Sequence, residues 1–207
     1  MLAATTAVSL VSAGPASAHA RVVSSFPAEG ANINSLSTAR VTFNEAVTGS
    51  TTALRVVNAA GVAVSGAARV SGSSVSASVP SLPAGRYALV YRVSSADGHM
   101  IGNALGFSVR RADPPAKPVS LRLSGDKVSM SGTRVGTRTV RLNGALRNAI
   151  GQVTWRLPGF PEPFEWNLSR GKASGMLPFP GTYSVTITAF ASASSTRTLT
   201  GTVRISP

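Results

Sequence analysis

Over most of this chain apolar and polar residues alternate one by one in short runs, the period of a half-buried β-strand, and almost nowhere do they recur at helical spacing. In the first half short β-type runs, not all of them alternating, fall at residues 40–45, 54–57, 75–79, 87–93 and 106–109, and in the second alternating runs fall at 119–123, 139–142, 153–157, 183–187 and 199–205. Turn formers stand between them, for example Asn58-Ala59-Ala60-Gly61 and Leu82-Pro83-Ala84-Gly85. No window holds a long amphipathic helix. Many short strands with regular turn signals predict an all-β protein built from antiparallel sandwiches.

A proline-rich, charged break interrupts the pattern at residues 111–118, where Asp113-Pro114-Pro115-Ala116-Lys117-Pro118 should stay extended. It divides the chain into a first domain, 19–110, and a second, 119–207, of a size that fits an immunoglobulin-like sandwich. Trp155 sits inside an alternating run and reads as core. Phe160, Phe164 and Trp166 surround the prolines at 158–163 and could form a platform for a sugar or a partner. Burial beneath a loop is the expectation, because large aromatics are usually inside. Asn167-Leu168-Ser169 matches a glycosylation sequon, a short pattern of little weight alone.

Composition removes several chemistries. The chain has no cysteine, which excludes disulfides, thiol nucleophiles and thiolate-bound zinc. Its net charge of +13 would ordinarily raise nucleic-acid binding, but the charges are dispersed. Residues 19–111 carry eight basic and three acidic residues, residues 112–207 twelve and four, all scattered through strand-like sequence. No nucleic-acid partner is expected. Solvated strand faces account for such a surface, and an anionic cell-envelope polymer or lipid would be its natural neighbour.

Residues 1–18 form a mild apolar run, a Gly-Pro break and a closing Ala-Ser-Ala, the order of a secretory signal with its cleavage site, although no charged segment precedes the run. The run is too short and too rich in Ser and Thr to span a bilayer, and no other segment is longer, so no transmembrane segment is expected. The protein should be exported, to a periplasmic, extracellular or cell-envelope location. Cleavage after Ala18 makes His19 the first residue, with a free α-amine and an imidazole on one residue.

His19 is one of two histidines. The other stands in Ser94-Ser95-Ala96-Asp97-Gly98-His99, one glycine away from one of only seven carboxylates. In extended backbone residues two apart point to the same side, so Asp97 and His99 can aim at one point. Read alone, Asp-Gly is a common turn dipeptide and the histidine incidental. Joined to an N-terminal histidine it predicts a metal site of four donors: the His19 amine, its imidazole, the Asp97 carboxylate and the His99 imidazole. A nitrogen and oxygen set without thiolate suits tetragonal Cu(II) better than tetrahedral zinc. Amines and imidazoles bind metal only when deprotonated, with ordinary pKa values of about 8 and 6.5, so affinity should fall below neutral pH.

His19-Ala20, the turn 24–31, the strand Val41-Thr42-Phe43-Asn44-Glu45-Ala46-Val47, Leu82-Pro83-Ala84-Gly85-Arg86-Tyr87 and Tyr91-Arg92-Val93-Ser94-Ser95-Ala96-Asp97-Gly98-His99 together resemble the CopC family of exported copper-binding proteins. The resemblance spans about residues 19–109. It implies a Greek-key, immunoglobulin-like β-sandwich that holds one Cu(II) through His19, Asp97 and His99, with Glu45 near the metal as an outer group. It also implies a role in copper homeostasis or resistance, by carriage or sequestration without turnover, and a membrane copper transporter as partner. Some members have a methionine-rich Cu(I) site. Here Met1, Met100, Met130 and Met176 are scattered and no such site is expected. The resemblance says nothing about residues 119–207. Two rival readings are a copper-dependent oxidative enzyme with a histidine brace and a surface adhesion or wall-binding module. The small first domain, the carboxylate at an oxygen-binding position and the lack of an aromatic-rich flat face near the ligands disfavour the enzyme.

Overall fold

Alternation of side chains across a pleated strand requires something apolar to cover one face, and in the first half of the chain two sheets cover each other. In the computed structural model, which describes residues 20–112, 117–120, 122–124, 127–129, 133–142, 144–192 and 195–207, the first half contains eight strands. They are β1 (Val22–Phe26), β2 (Asn32–Ile33), β3 (Thr38–Phe43), β4 (Leu54–Val57), β5 (Ala68–Ser71), β6 (Ser74–Ser78), β7 (Gly85–Ser94) and β8 (Met100–Val109). One four-stranded sheet runs β1-β3-β6-β5 and the other β2-β8-β7-β4. Val41, Phe43, Val56, Val75, Leu89, Tyr91, Val93 and Phe107 fill the space between them. The expected sandwich is present. Expected strand 106–109 extends back to Met100, because residues 100–106 pair with β7 along its whole length.

The second half adds β9 (Lys117–Ser120), β10 (Arg122–Ser124), β11 (Lys127–Ser129), β12 (Thr133–Arg134), β13 (Gly136–Arg141), β14 (Ile150–Arg156), β15 (Phe164–Leu168), β16 (Lys172–Leu177), β17 (Gly181–Ser192) and β18 (Ser195–Ser206). Its larger sheet runs β10-β11-β18-β17-β14-β15 and its smaller one β16-β13-β9. Trp155, Phe164, Trp166, Phe179 and Tyr183 pack at its centre, with Trp155 and Trp166 ring centroids 5.0 Å apart. The aromatics around the prolines are therefore core: Phe164 and Trp166 are buried and Phe160 stacks on Phe164 at 5.3 Å. Lys117 and Pro118, taken from the sequence as linker, already pair with β13. Residues 113–116 and the signal segment 1–18 lie outside the described residues.

The two sandwiches do not stand apart. In β7 the five residues from Tyr87 to Tyr91 are all buried, which one sheet-on-sheet contact does not produce. Tyr87, Leu89 and Tyr91 face the first core, whereas Ala88 and Val90, with Val57 and Ala104, belong to the core of the second half. Small residues let the two approach closely. A Cβ placed on Gly106 would stand 2.8 Å from the Met176 carbonyl oxygen, and one on Gly102 would stand 2.8 Å from Glu162 Oε2.

Polar groups fix the contact. Ala104 N–H donates to the Pro163 carbonyl at 2.9 Å, and the Asn103 side chain accepts from Glu165 N–H at 2.9 Å while donating to its carbonyl at 3.2 Å. The Arg92 guanidinium meets Glu162 at 3.0 Å. Glu29 Oε1 accepts from Met176 N–H at 2.6 Å, while its Oε2 is sealed from solvent with no protein partner. Burial pushes the Glu29 carboxyl up to about 8 although the Met176 N–H pulls the other way.

Candidate metal centre

Strands β7 and β8 are joined by residues 95–99, and this short connection carries the Asp97-Gly98-His99 sequence. Gly98 has φ +83°, a conformation that costs glycine nothing, and its N–H donates to the Ser95 carbonyl at 2.9 Å. Ser95 N–H donates to the His99 carbonyl at 2.9 Å and closes the loop. Asp97 and His99 thus meet across a turn, not along an extended strand as the two-residue spacing suggested. The glycine supplies the reversal that a pleat does not.

Within the loop the Asp97 carboxylate is held from several sides. Its Oδ1 accepts from the Ser95 hydroxyl and, at 3.1 Å, from His99 N–H, while Oδ2 lies 3.1 Å from His99 Nδ1. These donors, the Ser95 hydroxyl foremost, pull the carboxyl down to about 2. Asp97 is therefore an anion at any ordinary pH. The His99 side chain is 65% exposed and that of Asp97 25%, so the pair is open to solvent.

Two residues at the end of β3 tie this loop to the start of the described chain. Glu45 Oε1 accepts from Ala96 N–H at 3.2 Å, and the neighbouring Asn44 accepts from Arg21 N–H at 2.5 Å and donates its own N–H to the Arg21 carbonyl at 3.0 Å. Thr48 and Ser94 exchange two backbone bonds of 2.9 Å just behind the loop. Ala20 is buried in the first core, only 5% exposed. The structure thus brings together Asp97, His99 and Glu45, and fixes the residues following His19 at the same end of the sandwich. His19 itself lies outside the described residues. Among the described residues no three His, Cys, Asp or Glu side chains gather closely enough to hold a metal ion. The pair offers one nitrogen and one oxygen donor, and Glu45 acts on the loop backbone.

Two contributors were not singled out from the sequence. Ser95 stands two residues before Asp97, and that Ser-x-Asp spacing is a readable local hydrogen-bonding signal. Asn44 carries no such signal, because its partner Arg21 is 23 positions away.

Fold and site define a protein of two packed β-sandwiches with a polar, solvent-open loop at the end of the first. Residues 22–110 match the family model of the CopC domain, so the first sandwich carries a CopC domain. No curated protein matches the chain. Among solved structures, CopC from Methylosinus trichosporium OB3b is 21% identical, with 44% of this chain and 93% of that one covered at a TM-score of 0.40. The fibronectin(III)-like modules of Clostridium thermocellum CbhA are 11% identical, covering 91% of this chain and 94% of theirs at 0.30. The L,D-transpeptidase from Mycobacterium smegmatis is 12% identical, covering 91% and 100% at 0.29. Among the described residues no helix is long and apolar enough to cross a membrane.

Proposed function

We propose that this is an exported Cu(II)-binding protein of copper homeostasis, which carries or sequesters the ion without turning over a substrate. Removal of residues 1–18 frees the His19 amine, and the site is the amine and imidazole of His19 with Asp97 and His99, while Glu45 holds the loop. A membrane copper transporter is the proposed partner.

The observation that carries this reading is the 3.1 Å approach of Asp97 Oδ2 to His99 Nδ1 in an open loop. Two donors each about 2.1 Å from one ion and at a right angle to each other stand ~3.0 Å apart. An ion taking the place of the Nδ1 proton would need its two donors at about this separation, which supports the reading. The Asp97 carboxylate is ionised already, so binding costs it no proton. Acid release therefore does not begin at Asp97.

The test is Cu(II) binding by calorimetry and EPR on protein that begins at His19, on the same protein with one residue added ahead of His19, and on His99→Ala. Strong binding by the first alone, with nitrogen hyperfine structure that the other two lack, supports the site. Equal binding by all three removes it.

A further inference from the structure

We propose that the end of the second sandwich formed by Ile150, Phe190 and the turn at Arg170-Gly171 is a docking face for an anionic phospholipid bilayer. It goes beyond the metal site and holds whether or not the protein binds copper.

Backbone bonds knit this end together from separate chain segments. Gly171 N–H donates to the Ala149 carbonyl at 2.8 Å, and Leu142 N–H donates to the Gly171 carbonyl at 2.7 Å. A Cβ on Gly171 would stand 2.4 Å from the Arg147 carbonyl oxygen, so the turn lies directly on that segment. Phe190 joins them because it is the cross-strand partner of Ile150, the residue after Ala149.

The charge of this end has one sign. Arg141, Arg147, Arg170 and Lys172 are all exposed, and residues 141–150, 168–172 and 189–192 contain no Asp or Glu. Among the described residues no ion pair engages any of the four. Glu162 and Glu165 stand elsewhere, at the seam with the first sandwich, where Glu162 meets Arg92 and the Glu165 backbone meets Asn103. Three of the cations are placed at local cost. Arg141 and Lys172 are directly opposite each other in the antiparallel pair of β13 and β16, where like charges repel. Arg170 has φ +48° just ahead of Gly171 at φ +65°, a turn position that Asn, Asp or Gly occupies more readily. An anionic surface relieves the repulsion and gives the strained arginine a partner.

Apolar side chains narrow the choice of anion. Ile150 and Phe190, 60% and 43% exposed, are the only large apolar side chains exposed in the second half among the described residues, and they are neighbours on one face of its larger sheet. Cations around a protruding apolar pair suit a bilayer interface: headgroup phosphates take the charge and the apolar pair enters the acyl boundary. A soluble polyanion would leave the pair in water. A second copy would bring four cations against four.

The test uses metal-free full-length protein beginning at His19, so that copper has no part in the outcome. Sedimentation with vesicles of phosphatidylcholine alone, and of phosphatidylcholine and phosphatidylglycerol in a two-to-one ratio, measures partition. Binding to the anionic vesicles only, weakened as sodium chloride rises from about 0.1 M to about 0.5 M, supports the proposal. Arg170→Asn should bind about fivefold more weakly, the scale of one cation near an anionic surface, without losing thermal stability, because Asn suits the turn. Ile150→Ser with Phe190→Ser should bind roughly tenfold more weakly, and Phe190→Trp should show a blue-shifted emission with anionic vesicles against the constant signal of the buried Trp155 and Trp166. No binding to the anionic vesicles at the lower salt, equal binding to both vesicle types, or binding that none of these variants alters overturns the proposal. So does equally tight binding of soluble polyphosphate with no blue shift on vesicles, which would assign the face to a polyanion, or self-association lost in the double variant, which would assign it to a second copy.

Discussion

Two carboxyl groups of the first sandwich are shifted in opposite directions. Asp97, in the open loop, is pulled down to about 2 by a hydroxyl and a backbone N–H within two residues of it. Glu29, at the seam between the sandwiches, is pushed up to about 8 because burial outweighs the backbone N–H groups of Met176 and Gly106 that pull it down. Local hydrogen bonds in water favour the anion, and a tertiary contact that excludes water favours the acid. The first arrangement readies a group for a cation. The second makes domain contact sensitive to pH.

The sharpest way to break the comparison is at the open loop. If Asp97 and His99 are ligands, His99→Ala should lower Cu(II) affinity by about 100-fold or more, beyond what loss of an outer partner typically costs. Thermal stability should hardly move, because the side chain is largely exposed. A change in melting temperature with unchanged affinity would make the histidine merely structural. At the seam the corresponding change is Gly106→Val. Its Cβ would meet the Met176 carbonyl at 2.8 Å, so it should cost about 1–3 kcal/mol and loosen the docked sandwiches. Calorimetry and scattering would then show two less coupled units. An unchanged single transition would mean that the seam relaxes around the added carbons.

This contrast also separates what was legible in the sequence from what was not. Strand alternation announced both sandwiches, and the loop could be read from Asp97-Gly98-His99 because its stabilising partners are its neighbours. The fully buried run of β7 was a further signal, since only a strand covered on both faces is apolar at consecutive positions from Tyr87 to Tyr91. The identity of the second cover was not readable. Glu29 meets Met176 across 147 positions and Asn103 meets Glu165 across 62, and no local pattern encodes such pairings. The proline-rich break suggested separate domains because composition reports stiffness, not docking.

Ser95→Ala sharpens the loop half of the comparison with a smaller effect. It removes the largest contribution holding Asp97 down, so the carboxyl should rise towards its ordinary value near 3.8 when followed by NMR titration. Cu(II) affinity should fall by about 10-fold, the scale expected for an outer-shell partner that orients a ligand. An unaltered Asp97 titration would show that the His99 N–H suffices.

The smallest effect tests the seam through pH. In the unfolded or undocked chain Glu29 has its ordinary value of 4.5, and in the docked protein about 8. Docked protein therefore holds a proton that the separated form has already lost between those values. The stabilisation is fully present below about pH 4.5 and is lost as pH rises through about 8. Half-burial of the residue as a whole limits its size to on the order of 1–2 kcal/mol. Glu29→Gln keeps a carbonyl oxygen for Met176 N–H and has no proton to lose. Denaturant midpoints of the natural protein should decline from pH 5 to pH 8.5, and those of the variant should stay level over the same range once the contribution shared by both is subtracted. Parallel pH curves would mean that Glu29 keeps its charge inside the seam, and the contrast with Asp97 would then reduce to one of exposure alone.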